Sequence, residues 1–451
     1  MIIAETVNTQ RDKIFHSLFE GYEGSPFAVR LWDGWLWHSS TRGETSCTIV
    51  VHSANALRSL VLHPSEVTLG EAFLTKDIDV EGDLFSVFDV AEHVFHCSKG
   101  RQQRLLEAAS GILSGIGKWC KTGGRHSQNS DLAAISYHYD QPAAFYKPWL
   151  GKSLVYSCAY FQSADDDIDT AQTSKLELIC RKLRMRPCER FLDIGCGWGS
   201  LILHAASRHN VEAYGITLSR EQEAVASARI EAARLTQSCH VELLDYRNAV
   251  GRLPVFDKIS SVGMVEHVGL QNLPLYFKTA YSLLKPGGVF LNHGIARAYA
   301  SPGRGLSFLD RAVVPFLRNV LQLSRPHHSS FIDKYVFPNG ELVTLSQAAR
   351  AAEWAGFEVR DVENLREHYD LTLRRWVDGL RRNAGELLNV VSETTYRIWL
   401  LYMAGSAAAF RRGDIAVYQM LLSRPDRGNS NLPMTREDWY TNRLSAEAVE
   451  V

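Results

Sequence analysis

The stretch Phe191-Leu-Asp-Ile-Gly-Cys-Gly-Trp-Gly-Ser200 organises the reading of this 451-residue chain. A short apolar run ends in an acid, glycines follow at positions 195, 197 and 199, and Ala-rich helical sequence comes next. That order predicts a strand, a tight turn and a helix. Glycines there let the backbone approach a ligand and take positive φ without a Cβ clash. The spacing is GxGxG, not the GxGxxG of folds that seat a pyrophosphate on a helix N-terminus. An acid at the strand end, Asp193, suits a ligand that lacks phosphate and carries a cationic end. S-adenosyl-L-methionine fits that description.

Working outward, the same rhythm repeats. Val211 to Ser219 reads as a second strand and Arg220 to Leu235 as its helix, with Ser219 as N-cap and Gln222 in the first turn. Thr217 stands where many nucleotide folds place a ribose-binding acid, so Thr217 and Gln222 are the candidate polar contacts. Val241 to Arg247, Phe256 to Gly263 and Gly287 to His293 supply three more strands. Strands alternating with helices predict βαβ units, a parallel α/β sheet and a ligand at the carboxyl ends of the strands.

Length predicts two domains. Residues 1–120 form one unit, with half-buried strands around Trp32, Trp35 and Trp37 and helical stretches near 57–67 and 84–95. A polar, Gly/Ser-containing linker follows at 121–134. The second domain runs over 135–424, interrupted by a helical insertion at about 296–350 and resuming near Phe357. Residues 425–451 read as a loose polar tail. The 49 Lys+Arg against 50 Asp+Glu give no global basic field, and no Asn/Asp-Pro-Pro-aromatic motif occurs, which argues against a nucleic-acid substrate. None of the eight cysteines forms a CxxC pair or a zinc-like Cys/His spacing, so no metal is expected and the thiols read as those of a reduced, cytoplasmic protein. No basic-then-apolar leader opens the chain and no apolar run is long enough to span a bilayer.

Several further motifs occur in order: Tyr156-Ser-Cys-Ala-Tyr-Phe161, Gly215-Ile-Thr-Leu-Ser219, Gly263-Met-Val-Glu-His-Val-Gly269, Phe331-Ile-Asp-Lys-Tyr-Val-Phe-Pro-Asn-Gly340, His368-Tyr-Asp-Leu-Thr-Leu373 and Ala409-Phe-Arg411. With the glycine loop and Trp198, these resemble the cyclopropane-fatty-acyl-phospholipid synthase family, which includes the mycolic acid cyclopropane synthases. The resemblance covers about residues 131–424. It implies a class I S-adenosylmethionine-dependent methyltransferase fold, Rossmann-like, with a helical lid insertion. Residues 1–120 more weakly resemble the small α+β lipid-carrier-like domain found ahead of it in some members.

The implied reaction methylates a cis double bond of an unsaturated phospholipid acyl chain at the membrane surface, the protein binding peripherally at the inner face. An alkene is a poor nucleophile, so positioning in a dry slot supplies much of the rate. The resulting cation is one that aromatic faces stabilise. A base then removes a proton to close the three-membered ring, and the family uses bound bicarbonate for this.

The resemblance maps the bicarbonate pocket onto Cys158, Glu266, His293, Ile295 and Tyr335. Donors there would hold the anion, while Glu266 would accept its O–H. Taken singly, Cys158 reads equally as a buried thiol, His293 as a core histidine and Glu266 as an acid at a helix start. Contacts to S-adenosylmethionine map to Tyr156, Ser157, Gly195, Gly197, Thr217, Leu218 and Gln222, with Asp245, Tyr246 and Arg247 at the adenine end. Asp193 is expected to brace the glycine loop through its amides, and Trp198 to pack beside the adenosine.

Two departures from the family stand out. Ser406 occupies the place of a frequent cysteine before Ala-Phe-Arg, which bears on how the cation is handled and leaves a methyl- or methylene-branched product open. Arg304, Arg311, Arg318 and Arg325 recur every seven residues among apolar neighbours, with Pro315 expected to kink the helix. This suits either an anionic membrane surface or a lid helix or homodimer contact. A small-molecule methyltransferase and an inactive lipid carrier remain as competing functional readings. The first would leave Cys158, Glu266, His293 and Tyr335 scattered. The second would bind no S-adenosylmethionine.

Overall fold

The computed structural model describes residues 11–40, 43–62, 65–95, 142–298, 331–336 and 341–440. The linker, the arginine heptads and positions 337–340 of the expected motif at 331–340 lie outside these. The described residues fall into two units. One comprises those before 96 together with 331–336 and 391–408, and the other holds the remainder. Residues 331–336 and 391–408, expected within the catalytic domain, therefore cluster with the N-terminal unit.

In the N-terminal unit, strands β1 (Phe27–Arg30), β2 (Leu36–His38), β3 (Cys47–Val51) and β4 (Ile78–Gly82) form a sheet in the order β2-β1-β3-β4. Phe27, Ala28, Val29 and Trp37 are all buried, with Phe19 stacked and Phe15 tilted against the Trp37 ring. Helices Ala54–Leu62 and Glu66–Leu74 follow β3, the second capped by the Ser65 hydroxyl.

The larger unit is a seven-stranded sheet: β5 (Arg190–Ile194), β6 (Glu212–Thr217), β7 (Cys239–Leu243), β8 (Phe256–Val262), β9 (Leu284–Arg297), β10 (Glu358–Asn364) and β11 (Ile415–Ser423). Their order is β10-β11-β9-β8-β5-β6-β7. Pairings from β7 to β9 are parallel, and β11 runs antiparallel to both neighbours. Both faces of the central strand β9 are covered, so residues 288–294 are all buried. Leu192, Ile194 and Phe290 point into one core, while Phe191, Val289 and Leu291 point into the other. Each fully buried side chain of this size contributes about 1.5–3 kcal/mol.

The five parallel strands expected from sequence form within a few residues of their expected bounds. Ser219 caps helix Arg220–Ala232 by accepting the Gln222 amide. β11, by contrast, escaped the sequence reading. It follows helix Glu393–Arg412 directly across a Gly413 turn, and its residues, apolar on both faces apart from Gln419 and Ser423, carry no alternation to mark it as a strand. The residues expected as a loose tail also differ, because a turn at Glu437–Tyr440 buries Trp439 beneath Lys182, Arg184 and Arg436.

Candidate active site

The strand order reverses beside β5, and a cavity opens at the carboxyl ends of β5 and β6, where an open α/β sheet places its ligand. Gly195, Gly197 and Gly199 have φ of 83°, 55° and 81°. The amides of Gly195 and Cys196 both donate to the Ile216 carbonyl, tying the loop to β6. At Gly199 an added Cβ would press on Ala226 at 3.1 Å, whereas at Gly197 it would meet no protein atom within 4 Å. Gly199 is therefore demanded by packing; Gly197 lines the cavity.

Ten of the expected cofactor residues line this one cavity: Tyr156, Ser157, Asp193, Gly195, Gly197, Thr217, Leu218, Gln222, Tyr246 and Arg247. The Thr217 hydroxyl donates to the Gln222 side-chain oxygen at 2.8 Å, which turns the Gln222 amide nitrogen away from Thr217. Asp245 is not in the lining. It caps the short helix Tyr246–Asn248 and grips Arg247 through two carboxylate oxygens. Asp193 accepts the Ser260 hydroxyl at 2.6 Å rather than loop amides, and burial pushes its carboxyl up to about 6.

Three contributors went unread in the sequence. Lys175, buried in the cavity wall, donates to the Ser157 hydroxyl at 2.8 Å, and burial lowers its ammonium to about 8. Gln172 donates to the Ser157 carbonyl at 2.9 Å. Arg229 donates to the Trp198 carbonyl, the Ser200 hydroxyl and the Ser153 carbonyl, clamping the turn from outside. All three sit on helices, where a polar side chain reads as a solvated position until the fold turns it inward.

A second group lies toward the end of β9. His293 and Ile295, two residues apart, share the sheet face covered by helix Ile168–Leu183. Glu266 accepts the Ile295 amide at 2.7 Å through Oε1. Its Oε2 is buried without a protein hydrogen-bond partner, and so is Nε2 of His293. Burial pushes the Glu266 carboxyl up to about 7, only partly opposed by the Ile295 amide. Burial, together with the charges of Lys175 and Lys182, drives the His293 imidazolium well below its ordinary range, so His293 is neutral. Cys158 reaches the Leu365 carbonyl; the Leu365 amide in turn bonds Val417, the β11 residue paired with Ile295. Burial raises the Cys158 thiol, so it stays protonated. Tyr335 and Ser406 belong to the N-terminal unit, where Tyr335 donates to Glu71 at 2.9 Å and Ser406 is buried in helix Glu393–Arg412.

The chemistry of the first group fits a cationic nucleoside cofactor. Left-handed glycines, a buried acid and a Thr–Gln pair form a cradle with one cavity-facing position open for backbone approach. An imidazole nitrogen and a carboxylate oxygen are each left buried and unpaired, and each calls for a polar partner. No described helix is long and apolar enough to cross a membrane.

Comparison with known proteins agrees with the fold. Residues 126–420 match the family model for mycolic acid cyclopropane synthetase, and residues 14–96 match a domain of unknown function. A "Probable fatty acid methyltransferase" of Pseudomonas putida is 37% identical over 92% of this chain and 96% of its own. The cyclopropane-fatty-acyl-phospholipid synthase of Escherichia coli is 37% identical over 64% of this chain and 66% of its own. Among solved structures, the mycolic acid cyclopropane synthase CmaA1 complexed with SAH and CTAB superposes with a TM-score of 0.56, at 31% identity, over 64% of this chain and 97% of its own. The chain belongs to the mycolic acid cyclopropane synthetase family and is an S-adenosylmethionine-dependent methyltransferase of class I fold.

Proposed function

We propose that this enzyme transfers a one-carbon unit from S-adenosylmethionine to a cis double bond of an unsaturated phospholipid acyl chain, forming a cyclopropane fatty acid with bicarbonate as general base. The observation that carries the reading is that His293 Nε2 and Glu266 Oε2 are each buried without a protein partner. Val262, which pairs with His293, and Met264 and His267, which flank Glu266, all line the cofactor-type cavity. S-adenosylmethionine supplies the electrophilic methyl group, and bicarbonate the proton acceptor. Tyr156, Ser157, Gly195, Gly197, Thr217, Leu218 and Gln222 bind and orient the cofactor, with Asp193 behind them and Tyr246 and Arg247 at its adenine end. Asp245 acts through Arg247. His293 donates to the anion, Glu266 accepts its O–H and so aims it, and the Ile295 amide holds Glu266 in place. Cys158 closes the wall as a neutral thiol; Tyr335, which the resemblance also assigns to this pocket, donates to Glu71 instead.

The enzyme works peripherally on the cytoplasmic face of the membrane, with the basic amphipathic sequence at 304–325 as its contact to anionic lipid. Ser406, where the family often has cysteine, favours one second reading: a methyl- or methylene-branched acyl product.

Purified enzyme incubated with labelled S-adenosylmethionine and vesicles of unsaturated phospholipid decides between these. Mass spectrometry locates the label, and proton NMR separates cyclopropane methylene signals from branched-chain ones. Stripping bicarbonate from the buffer at fixed pH lowers the rate, and adding it back restores it. Label that never reaches lipid would sink the substrate assignment, and a rate indifferent to bicarbonate would sink the base.

A further inference from the structure

Three strands place a polar row beside His293. Glu363 on β10 pairs with Gln419 on β11, and Gln419 pairs with His293 on β9. Directly opposed residues point to the same face of a sheet, so the three side chains lie side by side. Lys182, wholly buried on helix Ile168–Leu183, comes down onto this row. Its ammonium donates to Gln419 Oε1 at 2.7 Å and also to the Glu363 carboxylate. Gln419 Nε2 lies 3.2 Å from His293 Nδ1.

The hydrogen-bond chemistry admits one assignment. An ammonium has only donors, so the Gln419 atom facing Lys182 must be its oxygen. The other end of that amide, facing His293, is then the NH₂ group, also a donor. His293 Nδ1 must accept. In a neutral imidazole the proton then sits on Nε2, the atom that is buried without a protein partner.

We propose that Gln419 is a positioning residue: oriented by Lys182 and Glu363, it fixes His293 as the Nε2–H tautomer, so that the imidazole presents a donor to the anion. The inference rests on the reading of His293 given above and adds the residues that make it a donor. It also accounts for a wholly buried lysine away from the cofactor loop, since burying a charge is costly unless it is paired and hydrogen-bonded. The charge of Lys182 is matched by Glu363, and its second bond sets the amide.

The test is the ¹⁵N signature of His293 in the full-length protein, with and without Gln419→Glu. The substitution is nearly isosteric. Its carboxylate can accept from Lys182 and from an Nδ1–H, so it should flip the tautomer and leave a lone pair facing the anion site. Wild type should show protonated Nε2 and unprotonated Nδ1. Gln419→Glu should show the reverse, with kcat down about 10²–10⁴-fold and binding of S-adenosylhomocysteine unchanged. Lys182→Arg, which keeps a donor, should retain the wild-type tautomer. Wild type with Nδ1–H, or Gln419→Glu with unaltered Nε2–H, would overturn the proposal. Should Gln419→Glu fail to fold, the wild-type spectrum decides alone. A correct tautomer with bicarbonate-independent turnover would leave this inference standing and remove the anion reading instead.

Discussion

Glu266 accepts the backbone amide of Ile295 at 2.7 Å, a bond that spans 29 residues of sequence and joins the turn after β8 to the end of β9. One carboxylate oxygen is thereby committed to the scaffold, and the other stays buried with no protein partner. The division fixes the carboxylate's aim without using its second acceptor. Burial pushes this group up to about 7, so its ionised fraction changes across neutrality.

Under the proposed mechanism Glu266→Gln should lower kcat by about 10²–10⁴-fold, because an amide keeps the Ile295 bond only by turning a donor toward the O–H of the proposed anion. In wild type the rate should rise with pH through about 7 as the carboxylate forms, and the variant should lose that limb. The stability trend runs the other way. A carboxyl with raised pKa contributes stability at pH below the ordinary carboxylate range and loses it as pH rises through about 7. Thermal melts should show Glu266→Gln gaining on wild type as pH increases; parallel melting curves at every pH would contradict this.

Gly197→Ala separates binding from folding. The added methyl meets no protein atom within 4 Å, so the cost to stability is the left-handed backbone, about 1–2 kcal/mol. The methyl does enter the cofactor cavity. Calorimetric titration with S-adenosylhomocysteine should show at least a tenfold loss of affinity, with melting only modestly lowered. Unchanged affinity would mean that Gly197 does not face the cofactor.

Glu177 stabilises the outer face of the same unit. Its Oε2 accepts from Nε2 of His204 at 3.1 Å and of His209 at 3.2 Å, while Oε1 accepts from Arg181 at 2.9 Å. Cys180 stands beside the two imidazoles, its sulfur within 4.8 Å of a nitrogen of each, yet the carboxylate already engages Nε2 of both rings. These bonds hold the Glu177 carboxyl far below its usual range. The sign follows: its stabilisation is present above the ordinary carboxylate pKa and is lost as pH falls toward the folded value. Glu177→Gln should cost about 1–3 kcal/mol at pH 7 and less in acid. Denaturant unfolding at pH 7 and pH 4 measures both, and an equal loss at the two pH values would refute the account.

Arg311 and Arg318 lie outside the described residues, so their role rests on spacing alone. Replacing both with glutamate should weaken sedimentation with anionic vesicles, by about 1 kcal/mol per charge removed near the surface. Affinity for S-adenosylhomocysteine should not move. Retained vesicle binding would assign these arginines to a lid or a subunit contact.

What the sequence determined by itself was local. Gly195, Gly197 and Gly199 after an apolar strand specify a turn whose conformation only glycine takes cheaply, and Ser219 before Arg220 specifies a helix start. Those signals span a few residues and rest on backbone sterics and capping, so they are readable without neighbours. The parallel sheet followed from their repetition. The tertiary structure alone decided the partnerships: that Gln419, on a strand with no sequence alternation, pairs across to His293; that Lys182 turns inward onto it; that Arg229 clamps Trp198 from another helix. It also decided that Asp245 serves Arg247 instead of lining the cavity. The physical reason is range. A hydrogen bond between residues 182 and 419 depends on where two strands and a helix meet, and nothing in the residues adjoining either position encodes that meeting.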